Sequence, residues 1–233
     1  MWKRKTEEIK DFFLETIFPR FCFGCHRENY FLCPDCEAVL EISEVSYCLC
    51  PKPKRLSQAG KCPKCQSKNL DGLYFALPYQ KALIKKLLQK FKDDPFVKEL
   101  AKPLSSLIIN HFLLLDKKPD FSDFILMPTP LEKKRLKWRG FNQAEEIAKE
   151  LKKLLEIPLV NDCLFEIKKL PQELEEERKE RAFVCKNVEA IKGRKILLVD
   201  DIYTTGSTME EISRVLKGSG AKEVWGVAVA RGE

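Results

Sequence analysis

Histidine is nearly missing from this chain: His26 and His111 are the only two among 233 residues. Imidazole carries most general acid–base catalysis near neutral pH, so a reaction built on histidine is a poor candidate here. The common nucleotide cradles are missing as well. There is no G-x-x-x-x-G-K-[ST], and no G-x-G-x-x-G follows an apolar run. Long apolar runs are also lacking. The longest, Leu107–Leu115, is interrupted by Asn110 and His111 and falls far short of the roughly 20 residues that span a bilayer. The opening residues, Met1–Lys10, meet charges where a signal peptide would have its apolar core, so the chain is expected to work in the cytoplasm. Phe12, Phe13, Ile17 and Phe18 then form a short amphipathic segment within an N-terminal helix over 1–20, which either docks on the protein or touches a membrane surface.

Cysteine, by contrast, is abundant. Ten are present, and eight crowd into Cys22–Cys65 as four pairs: Cys22/Cys25, Cys33/Cys36, Cys48/Cys50 and Cys62/Cys65. A cytoplasmic chain does not keep disulfides, whereas pairs spaced along tight turns bring thiolates onto a tetrahedral Zn²⁺. Up to two structural zinc ions are expected, with sequential and cross-braced pairing both open. Cys22-Phe23-Gly24-Cys25-His26 also matches a c-type haem attachment string, but that chemistry needs an exported chain, and the neighbouring pairs already account for these cysteines. Cys163 and Cys185, outside the pairs, read as plain buried thiols.

The charge balance is 42 basic against 35 acidic residues, a net of +7, so its distribution matters more than its sum. Lys81, Lys85, Lys86, Lys90 and Lys92 fall in twelve residues without an acid, opposite Leu83, Ile84, Leu87, Leu88 and Phe91 on a helix. Most such faces are simply solvated; the functional reading is a surface for an anionic polymer. A second basic stretch, from Pro128 to Gly140, holds five cations against one acid and reads as a loop.

The most informative stretch is Ile196-Leu197-Leu198-Val199-Asp200-Asp201-Ile202-Tyr203-Thr204-Thr205-Gly206-Ser207-Thr208. An apolar run ends in two carboxylates, and a hydroxyl-rich turn follows. Met209, Ile212, Val215 and Leu216 recur at helical spacing, and Thr208 with Glu211 makes a capping box, so a helix is expected to start at Thr208. Unpaired amides, hydroxyls and the positive end of a helix suit a phosphate, and the two acids suit ribose hydroxyls or Mg²⁺. The plain alternative is an ordinary strand, turn and helix. Further helices are expected at 79–92, 96–115, from Asn142 onward and at 171–182, with strands at Phe124–Met127, Ile196–Val199 and Glu223–Ala230 and a strand or irregular segment at 159–167. Alternating strands and helices predict an α/β fold with a parallel sheet.

This stretch resembles the phosphoribosyl pyrophosphate (PRPP) motif of type I phosphoribosyltransferases. Together with the cysteine pairs, Met127-Pro128-Thr129-Pro130-Leu131 and Arg139-Gly140-Phe141-Asn142-Gln143, it is similar to the ComF family over nearly the whole chain. The resemblance implies a type I phosphoribosyltransferase-like sheet over 72–233, behind an N-terminal, double zinc-ribbon-like module over 1–71. It implies PRPP with Mg²⁺ as ligand: Asp200 and Asp201 on the ribose or metal, and Thr204, Thr205, Gly206, Ser207 and Thr208 on the 5-phosphate. Lys133, Arg135 and Arg139 are the candidates for the pyrophosphate end. It further implies a role in DNA uptake for natural transformation, with single-stranded DNA as partner; the lysine face described above, Lys81, Lys85, Lys86, Lys90 and Lys92, supplies the DNA-facing candidates. Uptake helicase or channel proteins at the inner membrane face would be neighbours. A working phosphoribosyltransferase acting on a nucleobase or amine is the alternative, and no single residue stands out as catalytic.

Overall fold

The computed structural model describes residues 19–93, 96–167 and 182–232. The helices expected at 1–20 and 171–182 lie almost wholly outside these residues. The chain divides into two compact units between Glu41 and Ile42. The smaller holds Cys22, Cys25, Cys33 and Cys36, with one short helix, α1 (Pro34–Ala38), opened by a proline in its first turn. The second set of cysteines therefore belongs to the larger unit, although the composition shifts only at Gly72.

In the larger unit a short ladder, β1 (Ser46–Tyr47) with β2 (Arg55–Leu56), precedes the main sheet. That sheet is fully parallel and contains β3 (Gly72–Pro78), β4 (Phe124–Pro128), β7 (Lys195–Tyr203) and β8 (Glu223–Arg231), in spatial order β3-β8-β7-β4. Parallel strands need crossovers, which here are α2 (Ala82–Lys92), α3 (Ala101–Leu114), α5 (Gln143–Leu155) and α6 (Ser207–Gly218). Ile196, Leu197, Leu198 and Val199 of β7 are all fully buried because both faces of the sheet are covered. Helices α3 and α5 pack on one face, and α6 packs on the other. A hairpin of β5 (Leu164–Ile167) and β6 (Ala182–Cys185) stands apart from the sheet.

Three expectations shift. The predicted sheet misses β3, whose Leu73, Ala76 and Leu77 are buried; its apolar run alternates with nothing, as suits a strand covered on both faces. The basic stretch after β4 is not all loop, since α4 (Lys133–Arg139) forms there and ends on Gly140 at φ 79°. Helix α6 starts at Ser207 behind Gly206, one residue ahead of the predicted start. No Thr208–Glu211 capping box forms, because Thr208 already lies inside the helix and Glu211 turns to Arg214, with Nε at 3.0 Å. The predicted cap at Asn142 is present: its Oδ1 accepts from Ala144 N–H at 3.0 Å. Among the described residues no helix is long and apolar enough to cross a membrane.

Candidate functional site

The carboxyl ends of parallel strands are where α/β sheets bind ligands, and β7 ends in acids. Its pairing with β4 stops at Val199, while its pairing with β8 runs on to Tyr203, so Asp200 and Asp201 stand past the end of β4. Asp201 is 5% exposed and its Oδ2 lies 2.7 Å from Lys92 Nζ, at the last residue of α2. Burial pushes the Asp200 carboxyl up to about 7, the neighbouring Asp201 charge adds to this, and Lys92 acts against it. Two carboxylates side by side in a half-dry site, faced among the described residues by the Lys92 ammonium, are short of positive charge. That suits a divalent cation or the hydroxyls of a sugar.

The turn after β7 supplies the opposite polarity. Gly206 takes φ 77°, which places the amides of Ser207, Thr208 and Met209 in the first turn of α6, ahead of its internal ladder; the first internal bond is Glu210 N–H to Gly206 O at 2.9 Å. Thr204, Thr205 and Ser207 are exposed, and Thr205 Oγ1 accepts from Ser207 N–H at 3.3 Å. Beneath the turn the Tyr203 ring is 4% exposed. A Cβ on Gly206 would collide with its Oη and Cζ and fall 2.7 Å from Cε2, so only glycine fits.

The Arg139-Gly140-Phe141-Asn142-Gln143 string is a clamp. Asn142 Nδ2 donates to Thr129 O at 2.8 Å, fixing the end of β4, and Thr129 N–H donates to Val199 O at 2.9 Å, fixing that end to β7. Gln143, 3% exposed, donates from Nε2 to Phe91 O at 3.1 Å and so holds the end of α2, next to Lys92. Its Oε1 accepts from Arg139 Nη1 at 3.1 Å. Arg139 Nε is buried without a hydrogen-bond partner, an orphaned donor on the residue expected to meet pyrophosphate. Lys133 and Arg135 are exposed on α4, with Arg135 Nε 3.8 Å from Glu132. Trp138 is 62% exposed among these cations.

The cysteines fall into two groups, Cys22/Cys25/Cys33/Cys36 and Cys48/Cys50/Cys62/Cys65, with all four sulfurs of each within 4.8 Å of one another. The sequential pairing is the one realised. A tetrahedral Zn²⁺ with Zn–S near 2.3 Å sets sulfurs roughly 3.8 Å apart, so both groups fit such an ion. The second-site Cys50–Cys62 and Cys62–Cys65 separations are 3.5 and 3.7 Å. Backbone amides point at the sulfurs, from Cys33 to Cys22 at 3.3 Å and from Lys54 to Cys48 at 3.2 Å. Burial acts to raise the Cys22 thiol, but amides of Cys25, Cys33 and Gly24 outweigh it and bring it to about 6. Cys163 and Cys185 are not isolated thiols: the β5–β6 hairpin sets their sulfurs 2.8 Å apart.

On α2, Ile84, Leu87, Leu88 and Phe91 are buried, while Lys85 and Lys86 are exposed and Lys81 and Lys90 half-exposed. Lys92, grouped with them on sequence, is instead paired with Asp201.

A phosphoribosyl transferase domain matches residues 137–232, which carry α5, β7, the turn and α6. Competence protein ComFC of Streptococcus pneumoniae (strain ATCC BAA-255 / R6) is 30% identical over 213 residues, 83% of this chain and 84% of that one. The chain belongs to the ComF family. Competence protein F of Haemophilus influenzae (strain ATCC 51907 / DSM 11121 / KW20 / Rd) is 35% identical over 114 residues, 45% of this chain, and that match spans half of the relative's length. Adenine phosphoribosyltransferase from Thermoanaerobacter pseudethanolicus ATCC 33223 aligns in structure at a TM-score of 0.39 and 14% identity, over 68% of this chain and 88% of that one. Membership thus rests on the sequence relatives. In this ComF protein, residue patterns alone did not single out Lys92 as a partner of Asp201, Gln143 as a tie between helices, or Arg231, whose buried guanidinium donates to Cys48 O at 2.8 Å and Cys50 O at 2.6 Å. The first two have a signal in hindsight: a lysine ending an amphipathic helix and a glutamine in its neighbour's first turn.

Proposed function

We propose that this ComF protein binds PRPP with Mg²⁺ at the end of β7 and acts on single-stranded DNA during uptake for natural transformation. The observation that carries the reading is one surface with two polarities: Asp200 and Asp201 at the strand end, and the first-turn amides of Thr208 and Met209 with the hydroxyls of 204–208 directly after them. The 5-phosphate would lie on those amides, with Thr204, Thr205, Ser207 and Thr208 as hydroxyl donors. Asp200 and Asp201 would accept from the ribose hydroxyls or hold Mg²⁺. The ion, when bound, would neutralise part of the pyrophosphate charge. Lys92 would orient Asp201, and Arg139, steadied by Gln143, would meet the pyrophosphate with its unpartnered Nε. Lys133 and Arg135 are further candidates at that end.

Zinc in both cysteine groups would be structural, since four thiolates leave no open position for a reaction. Single strands would be held through phosphate charge by Lys81, Lys85, Lys86 and Lys90 and by the cations of α4, with the exposed Trp138 ring as a stacking face. The names of the competence relatives support the uptake role.

Calorimetry with PRPP and Mg²⁺ tests the site. The Asp200→Asn/Asp201→Asn double variant keeps the shape and loses the charge, and should bind at least tenfold more weakly, since each charge-assisted contact contributes about 1.5–3 kcal/mol. Equal affinity in both proteins refutes the assignment. Release of pyrophosphate with a nucleobase or amine acceptor would move the reading to the transferase alternative.

A further inference from the structure

The second cysteine group lies in the same buried cluster as the residues beneath the phosphate turn: Cys48, Cys62 and Cys65 share it with Tyr203, Met209 and Ile212. Two polar ties join them. The first is Arg231, the last residue of β8 and only 6% exposed. Its Nη1 and Nη2 donate to the carbonyls of Cys48 and Cys50, and the guanidinium lies over the rings of Tyr203, 5.3 Å from its centroid, and Phe75, at 5.7 Å. Among the described residues no carboxylate pairs with it. A buried cation without a counter-charge is costly; Cys48, Cys50 and Cys65 act electrostatically on this one, and four thiolates around a divalent ion would carry a net negative charge. On its other side, Tyr203 fills the space under Gly206.

The second tie is Glu210, in the first turn of α6. Its Oε1 accepts from Asn69 N–H at 2.6 Å and Asn69 Nδ2 at 2.8 Å, and its Oε2 accepts from Leu70 N–H at 3.3 Å. Asn69 and Leu70 follow closely on Cys65. The tie keeps one carboxylate at the helix start occupied, where a free one would repel a phosphate.

We infer that the second metal-binding cysteine group is a brace of the ribose-phosphate turn, linked to it by Arg231 and Glu210, so that metal held by Cys48, Cys50, Cys62 and Cys65 and phosphate held at 204–208 strengthen one another. This rests on the ribose-phosphate reading above. Disorder in the cysteine loops would free the acceptors of Arg231 and the donors to Glu210 together, releasing both ends of the 203–210 segment. Binding linkage is reciprocal, so each ligand must raise the other's affinity by the same factor. Arg231 is here a positioning residue; it reaches the phosphate only through Tyr203.

The test is zinc release from the full-length, zinc-loaded protein to a chromogenic chelator, with and without saturating ribose 5-phosphate or PRPP with Mg²⁺. A Cys25→Ser variant identifies the phase that belongs to the first group. In wild type, the remaining phase should slow severalfold with ligand. Arg231→Gln should release that zinc about tenfold faster, without ligand dependence, and bind ribose 5-phosphate about tenfold more weakly while keeping its affinity for pyrophosphate alone. Arg231→Lys, which keeps the charge but not the two-carbonyl fork, should fall between. If Arg231→Gln does not fold, Glu210→Gln carries the same comparison. Ligand-independent zinc release from a wild type that binds ribose 5-phosphate overturns the proposal, as does a folded Arg231→Gln protein with wild-type release and affinity. A wild type that binds no ribose phosphate instead refutes the ligand reading, and the variant's zinc release rate, which needs no ligand, still decides the Arg231 tie.

Discussion

Gly206→Ala is the sharpest single perturbation of the proposed site. Two costs can be worked separately. Alanine at φ 77° pays the left-handed penalty of about 1–2 kcal/mol. Its Cβ must also displace the Tyr203 ring, which would lie 2.7 Å away at Cε2 and closer still at Cζ and Oη. That ring is 4% exposed with Arg231 stacked above it, so it has little room to swing, and forced overpacking of this kind costs about 1–3 kcal/mol. The sum is about 2–5 kcal/mol, read as a lower urea midpoint at unchanged slope. The second cost can be isolated by a double-mutant cycle with Tyr203→Ala. With the ring gone, Gly206→Ala should lose only the backbone penalty, so the double variant should be more stable than additivity predicts by about 1–3 kcal/mol. An additive cycle would refute the packing account and leave backbone conformation alone as the reason for glycine. Ribose 5-phosphate binding in the single variant should weaken alongside stability, since both depend on the same turn.

How much of this was legible in the sequence depends on the range of the interaction. The run Ile196–Val199, the acids after it and the Thr-Thr-Gly turn are contiguous, so a strand, a turn and a helix could be read in order. Helix α5 was legible because its cap is local: Asn142 bonds Ala144, two residues on. The start of α6 was misread for a related reason. Thr208 and Glu211 have the right spacing for a capping box, but the left-handed Gly206 already opens the helix, and spacing carries no information on backbone sign. The clustering of the cysteines was readable from pair spacing, yet their attachment was not. The contacts of Arg231 with Cys48 and Cys50 span 183 and 181 positions, and those of Glu210 with Asn69 span 141, so no local pattern announces them. The same limit applies to Lys92, which one-dimensional charge counting groups with four other lysines on a helix face. Only the fold of α2 against the end of β7 shows that it faces a carboxylate.

Three further outcomes can be measured. Asn142→Ala removes both a helix cap and the bond to Thr129 O, and should cost about 1–2 kcal/mol in urea unfolding; a loss under 0.5 kcal/mol would mean that the clamp contributes nothing. Reversing Lys85, Lys86 and Lys90 to Glu should weaken single-strand binding and reduce the slope of log affinity against log salt by about 2, at roughly 0.7 per lost phosphate contact, while an unchanged slope would place the strand elsewhere. The pH dependence follows from Asp200, whose carboxyl is raised to about 7 chiefly by burial and then by the Asp201 charge. A folded-state value above the unfolded one of about 3.9 means that the folded chain holds this proton more tightly. Its contribution to stability is therefore full below about pH 4 and is lost as pH rises toward 7. Binding runs the other way, because contact with Mg²⁺ or ribose hydroxyls needs the charged form. Affinity for PRPP with Mg²⁺ should fall up to tenfold for each pH unit below about 7 and level off above it, with proton release on binding near pH 7 in calorimetry run in two buffers of different ionisation enthalpy. Asp201→Asn removes the second contributor and should move that break to lower pH, which separates it from titration of the ligand's own phosphates. A break at the same pH in both proteins would assign it to the ligand and refute the role given to the carboxylate pair.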